Sequence, residues 1–404
     1  MDIRPILSTL LRHKIAAALI VLEIALTCAI ICNALFLIST RLDRMNRPTG
    51  LAESEIVRIN TAGAGNDDNA EVRAREDAAL LRGLPGVIAA SSINHLPFDW
   101  SSWNSSVSLQ PDQQNPNFSA NMYYGDEQLV ETFGLDIVEG RDFEPGEYVD
   151  WDEVQKPGNE GLVGSAIVTR RVAQELFPGQ SALGKHIYVG QNPIRIVGVV
   201  EHLIRTNDNG GPAQSQFAVI LPIRGAFGRF AIRTASERRD EVLKAAADAL
   251  QQSNPNRIIL AQGSFEEMAD DWYREDRAMA WLLVTVCIAL LVVTALGIVG
   301  LASFWVQQRS KQIGIRRALG ATRGQILRYF QTENFLLATI GIAIGMVLAF
   351  GINQMLMGRY ELPRLPLVYL PVGAIALWLL GQLAVLGPAR RAAAVPPAVA
   401  TRSV

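Results

Sequence analysis

The chain has 404 residues, of which 49% are hydrophobic and 19% are charged, and its formal net charge is −2. So high an apolar content is unusual for a soluble protein, and the nearly neutral balance gives no indication of a nucleic-acid partner. We therefore expect the excess of apolar residues to lie in segments that cross a membrane.

Four segments are apolar for longer than the roughly 20 helical residues that span a bilayer core. They are residues 15–40, 280–306, 335–358 and 365–389. The first is too long for the apolar stretch of a signal peptide and no small-residue cleavage site follows it, so we interpret it as a retained helix. The sequence predicts four transmembrane helices.

Basic residues form three clusters on one side of these helices. The first cluster precedes the first span, the second, which contains no acidic residue, fills the short loop between the second and third spans, and the third follows the fourth span. They are Arg4, Arg12 and Lys14; Arg309, Lys311, Arg316, Arg317, Arg323 and Arg328; and Arg390, Arg391 and Arg402. Positively charged loops remain cytoplasmic. We therefore expect both termini in the cytoplasm and residues 41–278 on the other side.

The large segment between the first two spans is predicted to be an α+β domain. Strand-like runs at 55–60, 165–169, 194–200 and 217–221 alternate with helical patterns at 77–82 and 237–252. We expect two subdomains, the middle one covering about 120–215, with little order in the polar insertions 110–117 and 144–161. All three cysteines lie in predicted spans, so the outward domain has no disulfide.

Rigid connections between this domain and the membrane are predicted on both sides. In residues 265–276 the apolar side chains recur at helical spacing, and neither Pro nor Gly interrupts the pattern before Ala280. We expect one continuous helix from residue 265 into the second span, and an extension of the first span through residues 41–45.

Within the predicted spans, Glu23 is the one formal charge. A charge there is costly, which makes Glu23 a candidate for substrate or proton handling, but it could instead pair with Lys14 or sit at a helix interface. Gly341 and Gly345 form a G-x-x-x-G on the third span, a spacing that allows close helix packing. Cys28 and Cys32, one turn apart, are interpreted as small packing residues.

No catalytic or metal site is apparent in the sequence. Residues 179–185 fit G-x-x-x-x-G-K, but His186 stands where a phosphate-binding loop needs Ser or Thr, and the preceding residues are not a buried strand. The histidines follow no metal-binding pattern; they are His13, His95, His186 and His202. We expect a chain that is not an enzyme and holds no cofactor.

The second cytoplasmic loop is the most informative segment. Residues 307–327 read QQRSKQIGIRRALGATRGQIL and predict two short helices, broken at 320–322, with Thr322 as the cap of the second. Its basic residues could serve simply as membrane-surface anchors.

This loop closely resembles the signature of FtsX-like and MacB-type ABC transporter permeases. In that family the signature is a stretch similar to R-E-I-G-I-R-R-A-L-G-A. Lys311 and Gln312 stand where the family usually has Arg and Glu. Three segments of the outward domain also resemble recurring motifs of the MacB-type periplasmic core: LPGV at 84–87, FGLDIVEGRDF at 133–143 and LFPGQSALGK at 176–185. The tail at 388–402 resembles the closing pattern of the family.

The resemblance implies a division into residues 1–40 with the first span, a periplasmic core at 41–278 with stalk helices, and an FtsX-like permease domain at 279–404 with a coupling loop at 307–329. It implies that a separate ATPase, holding ATP and Mg, docks on the coupling residues. These are Gly314, Ile315, Arg316, Arg317, Ala318, Leu319, Gly320, Ala321 and Thr322. It also implies a dimer with a second copy or a paralogue, working in the bacterial inner membrane by mechanotransmission.

The function that this resemblance implies is efflux of peptides, antibiotics or other amphiphiles, together with a periplasmic adaptor and an outer-membrane channel. Release of lipoproteins is an alternative, which would need an exposed apolar groove in the outward domain. Activation of a cell-wall hydrolase, as by FtsX itself, is a further alternative from a different class. A membrane-bound enzyme would require a catalytic constellation that the sequence does not contain.

Overall fold

The structure is a computed structural model that describes residues 14–63, 69–111, 113–159, 161–207, 211–360 and 364–394. The chain forms two compact units, one made of Met1–Asp43 with Glu275–Val404 and the other of Arg44–Arg274. Arg4, Arg12, His13 and Arg402 lie outside the described residues. The prediction that these arginines are cytoplasmic therefore stays a prediction.

The helices, in chain order, are α1 (Lys14–Met45), α2 (Ala70–Arg82), α3 (Leu129–Phe133), α4 (Trp151–Val154), α5 (Arg170–Leu176), α6 (Gly211–Gln214), α7 (Arg239–Ser253), α8 (Phe265–Trp272), α9 (Arg274–Gln308), α10 (Ser310–Ala318), α11 (Arg323–Tyr360) and α12 (Tyr369–Ala393). Short 3-10 turns cover Glu53–Glu55, Pro145–Glu147 and Ser236–Arg238.

The strands are β1 (Ile56–Gly63), β2 (Val87–Ser92), β3 (Asn104–Ser108), β4 (Phe118–Tyr124), β5 (Ile137–Gly140), β6 (Val149–Asp150), β7 (Ser165–Thr169), β8 (His186–Val189), β9 (Asn192–Val200), β10 (Ala218–Leu221), β11 (Ile223–Arg224), β12 (Arg229–Thr234) and β13 (Arg257–Ser264).

Four helices of the described chain are long and apolar enough to cross a membrane: α1, α9, α11 and α12. This confirms the four spans predicted from the sequence. Half of the residues in the most apolar 18-residue stretch of α1 are buried inside the unit, compared with 17% for α9, 33% for α11 and 28% for α12. Small side chains at Ala25, Cys28, Ala29 and Cys32 are almost fully buried and let neighbouring helices approach α1, which is therefore the central helix of the membrane unit.

The outward unit is an α+β domain, as predicted, and it contains two main sheets. An antiparallel four-stranded sheet has the order β13-β1-β12-β2, and helices α2 and α7 share its apolar core. A mixed seven-stranded sheet has the order β5-β9-β7-β10-β4-β3-β8, with parallel pairs β4/β10 and β7/β9. Buried Val57, Leu81 and Phe230 belong to the first core, and Val107, Val168 and Val219 to a core of the second.

The predicted limits of the middle subdomain were too narrow at both edges, because the seven-stranded sheet still includes β10, which ends at Leu221, and already includes β3, which starts at Asn104. The strand was missed because its sequence, NSSVS, has one apolar side chain, Val107. The insertion at 144–161 is also more ordered than expected. Glu144 and Glu147 form a reciprocal capping box, and the β6 segment that follows pairs in parallel with β11.

The prediction of one continuous helix from residue 265 into the second span was wrong, because Tyr273 separates α8 from α9. Tyr273 has φ −90° and ψ 9°, which is the bridge region and not the helical one. Its ring is 5% exposed and packs edge-on against Phe98, with the ring centroids 5.1 Å apart. Packing in the outward core therefore decides the conformation here. The extension of the first span through Met45 agrees with the prediction.

Candidate functional site

The candidate site is the turn-helix segment that joins α9 to α11. Arg309 alone separates α9 from α10, and Leu319 to Thr322 separate α10 from α11. Gly320, with φ +97°, occupies the left-handed conformation that glycine adopts without strain, and the next N–H, of Ala321, donates to the Arg316 carbonyl at 3.0 Å. A short helix is thereby closed by a glycine turn.

Thr322 begins the next helix. Its backbone N–H donates to Gln325 Oε1 at 2.9 Å, while the Gln325 N–H donates to Thr322 Oγ1 at 3.3 Å, a reciprocal capping box. The cap agrees with the sequence interpretation. The second helix is not short, however, because α11 continues from Arg323 to Tyr360 without interruption.

The nine predicted coupling residues do not share one environment. Gly314 is buried, Arg317 and Ala321 are half-buried, and the remainder are exposed: Ile315, Arg316, Ala318, Leu319, Gly320 and Thr322. Two of the exposed residues are large and apolar, Ile315 at 46% and Leu319 at 84% exposure. Because they are four residues apart, they form one apolar ridge on α10 and its C-terminal turn.

Two arginines connect α10 to its neighbours. Arg317 donates from Nη1 to the carbonyl of Ala393, the last residue of α12, at 2.8 Å. The guanidinium of Arg316 lies over the ring of Tyr329 on α11, 5.1 Å from the ring centroid. Arg316 and Arg317 therefore connect α10 to two membrane helices.

A buried ion pair, which the sequence interpretation missed, sits at the joint between α9 and α10. Nη1 of Arg309 donates to both carboxylate oxygens of Glu333 on α11, at 3.0 and 3.1 Å. The side chains are 8% and 2% exposed. The sequence predicts Arg309 in a basic cytoplasmic cluster without an acid. In the structure Arg309 is buried and paired with Glu333, which lies two positions before the predicted third span.

The sequence did contain a signal for this pair. Glu333 is the only acidic residue between positions 307 and 358, two positions before the apolar run predicted to be the third span. A lone carboxylate at the edge of a span needs a cation to remain charged, and a chain with several arginines nearby offers one.

Glu23 lies at the interface of α1 and α9. A Cβ built on Gly297 of α9 would lie 2.5 Å from Glu23 Oε2, so the carboxylate occupies the space that this glycine leaves. One turn further along, the hydroxyl oxygens of Thr27 and Thr294 are 2.9 Å apart. No ion pair joins Glu23 to Lys14 in the described part of the chain. The helix-interface interpretation of Glu23 therefore has structural support, and the Lys14 pairing does not.

The G-x-x-x-G residues of α11 face α1. A Cβ on Gly341 would lie 2.8 Å from Ile24 Cβ, and one on Gly345 would lie 2.5 Å from Cys28 Cβ and 2.6 Å from the Ala25 carbonyl oxygen. Contacts this short leave no room for any side chain. The helix that these glycines contact is thus in the same chain.

In the outward domain, His95 and Lys185 make packing and hydrogen-bond contacts with other side chains of the domain. His95 is fully buried, with Nε2 2.9 Å from Asn121 Oδ1, and burial lowers its pKa to about 3. Lys185 of the false phosphate loop lies over the ring of Phe177. Within the residues that the structure describes, no group of three or more His, Cys, Asp or Glu side chains could hold a metal ion.

Two family profiles match the chain. The MacB-like periplasmic core domain matches residues 18–252, which is more than half of the chain, and the FtsX-like permease C-terminal domain matches residues 284–397. The crystal structure of the periplasmic region of MacB from Actinobacillus actinomycetemcomitans aligns with 57% of this chain and 97% of that region, at 13% identity and a TM-score of 0.35.

Similar proteins carry transporter names. YknZ of Bacillus subtilis, named an uncharacterized ABC transporter permease, is 26% identical over 60% of this chain and 63% of YknZ. The macrolide export ATP-binding/permease protein MacB of Chromobacterium violaceum is 29% identical over 57% of this chain and 37% of MacB. The pyoverdine export ATP-binding/permease protein PvdT of Pseudomonas aeruginosa is 28% identical over 59% and 37%. The chain thus spans less than two thirds of each of these relatives.

Four membrane-spanning helices, an α+β domain between the first and the second, and matches to both family profiles lead to one assignment. The chain belongs to the MacB-like, FtsX-like family of ABC transporter permeases.

Proposed function

We propose that this chain is the permease subunit of an ABC transporter, that α10 docks on a separate ATPase, and that ATP hydrolysis there drives movement of the periplasmic domain. The exposed ridge of Ile315 and Leu319 carries this proposal. Leu319 is 84% exposed and lies outside the apolar spans, and the exposure of so large an apolar side chain to water is unfavourable. Burial of this side chain in a groove of a partner protein, as amphipathic helices do, would be favourable.

Motion imposed on α10 has a mechanical route away from the docking surface. Arg317 binds the end of α12, and the buried Arg309–Glu333 pair fixes the start of α10 to α11. Through Arg309, α10 also continues directly into α9. Pulling or tilting α10 therefore acts on three spans at once.

The helices that leave the membrane are long enough to act as rods. At 1.5 Å per residue, α1 with 32 residues and α9 with 35 are about 48 and 52 Å long, against a hydrocarbon core of about 30 Å. Near their outward ends, Arg41 of α1 and Asp276 of α9 form an ion pair. This ion pair between the two helix ends supports mechanotransmission to the periplasmic domain. In this proposal both termini of the chain lie in the cytoplasm.

For the cargo, we propose peptides, antibiotics or other amphiphiles, exported from a bacterial inner membrane by a permease dimer with a periplasmic adaptor and an outer-membrane channel. The relatives named for macrolide and pyoverdine export support this class. ATP and Mg are then held by the partner ATPase.

Affinity purification of the tagged full-length protein in mild detergent, followed by mass spectrometry, tests the docking surface. We compare the wild type with Leu319→Glu and use Leu260→Glu as the control, because Leu260 is 66% exposed on β13 of the other unit. We expect an ABC ATPase with the wild type and the control, and at least a tenfold lower yield with Leu319→Glu. Equal ATPase recovery with all three proteins, or none with the wild type, would contradict the proposal.

A further inference from the structure

A cavity of about 310 Å³ opens between α10 and the first turns of α11. This volume is at the lower end of the range of small-molecule sites. Two arginines and two glutamines contribute to its wall, namely Arg309, Arg316, Gln312 and Gln325. The cavity is distinct from the Ile315 and Leu319 ridge, neither of which lines it.

The charge of the cavity favours an anion. The Arg316 side chain has no carboxylate partner among the described residues, and its guanidinium lies over the Tyr329 ring. Nη2 of Arg309 is buried and has no hydrogen-bond partner in the described chain, since Glu333 accepts from Nη1. The glutamine amides can donate further hydrogen bonds to an oxyanion.

Another part of the wall is apolar. Ile313, Ile326 and Phe330 line the cavity and are each between 4% and 6% exposed, within one apolar cluster. A free inorganic anion would gain nothing from such a wall. A ligand that joins a phosphate to glycerol and acyl carbons would use both halves of the cavity, because each half then meets a group of matching polarity.

The cavity and the docking ridge use different side chains of α10. At 100° per residue, Ile315 lies about 100° and Leu319 about 60° around the helix from Arg316, and neither lines the cavity. A ligand in the cavity therefore contacts neither side chain of the ridge. The same helix can hold a membrane component and a protein on neighbouring faces.

We propose that this cavity binds the headgroup of an anionic phospholipid, with the phosphate on Arg316 and the glycerol and first acyl carbons against Ile313, Ile326 and Phe330. The site lies where α9 ends, at Gln308, so that a lipid of the surrounding leaflet enters it without leaving the bilayer. Bound there, the lipid wedges α10 against α11 and sets the angle between them. The binding step does not depend on the proposed function, because it requires no ATPase.

Native mass spectrometry of the purified full-length protein, titrated with phosphatidylglycerol or phosphatidylcholine, tests the site. We compare the wild type with Arg316→Gln and with Arg328→Gln, whose side chain is exposed on α11 and does not line the cavity. Loss of a charged hydrogen bond predicts at least about tenfold weaker phosphatidylglycerol binding for Arg316→Gln. General surface attraction predicts at most about a fivefold effect for Arg328→Gln. Arg316→Lys, which keeps the charge, should restore most of the affinity.

Three results would overturn the proposal. Equal losses for Arg316→Gln and Arg328→Gln would mean that only surface charge attracts the lipid. Displacement of phosphatidylglycerol by inorganic phosphate would make the cavity a free-phosphate site. Displacement of bound phosphatidylglycerol by purified ATPase, added in a separate experiment, would assign the cavity to protein docking. Because the titration is done without ATPase, a failed pulldown and a failed lipid titration remain distinguishable.

Discussion

Breaking the buried Arg309–Glu333 pair should destabilise the membrane unit far more than removing an exposed arginine. The side chains are 8% and 2% exposed, so water cannot solvate the charge that is left behind when its partner is removed. We consider Arg309→Met, Glu333→Leu and the double variant. Arg328→Met is the matched control, because Arg328 is exposed on the same helix, α11.

The expected magnitude follows from burial. Removing one member of a buried ion pair costs about 3–5 kcal/mol, whereas replacing both by apolar side chains of similar volume is close to neutral. In a domain of this size, about 1 kcal/mol corresponds to roughly 2–4 °C in Tm. Each single variant should therefore melt roughly 6–20 °C lower than the wild type, and the double variant within a few degrees of it.

The three cysteines provide the assay. Cys28, Cys32 and Cys287 are buried in α1 and α9, so a thiol-reactive fluorogenic dye labels them when the membrane unit unfolds. Apparent Tm values of the five proteins in one detergent then give a double-mutant cycle.

Two results would refute this reasoning. Single variants that melt within 2 °C of the wild type would show that the pair is solvated or absent. A double variant that is as unstable as the sum of the single variants would show that the two side chains act independently and not as a pair.

Two further predictions concern packing and pH. Gly345→Leu should lower the free energy of unfolding of the membrane unit by about 1–3 kcal/mol or more, and its Tm with it, because a Cβ at this position would meet Cys28 Cβ at 2.5 Å. Gly351→Ala, with no atom within 4 Å of the added Cβ, should leave the Tm unchanged, and equal Tm values for the two variants would contradict the close packing. The pKa of His95 is about 3 in the folded protein, below the value of about 6.5 in an unfolded chain. The contribution of neutral His95 to the free energy of unfolding of the outward unit should therefore be complete above pH 6.5 and decrease as the pH falls toward 3. At pH 5 the expected loss is about 2 kcal/mol. Tryptophan-fluorescence melts of wild type and His95→Gln at pH 7.5 and 5 test this, and an unchanged pH dependence in His95→Gln would contradict it.

The four membrane spans could be predicted from the sequence because they depend on local composition. A run of about 20 apolar residues has to cross the bilayer wherever the remainder of the chain folds, so the four spans needed no knowledge of their partners. The α+β class of the outward unit was equally accessible, since strand and helix periodicities are local patterns. The Gly320 turn and the Thr322 cap belong to the same category.

Contacts between distant residues were decided by the tertiary structure alone. Arg309 and Glu333 are 24 positions apart, and although the lone acid at Glu333 indicates that a cation is needed, no local pattern shows which of the nearby arginines is buried with it. The break at Tyr273 depends on Phe98, whose ring is 175 positions away, and β3 is a strand because β4 and β8 pair with it. Hydropathy and backbone propensity act within a few residues, whereas burial, ion pairing and sheet order depend on which segments meet in the folded chain.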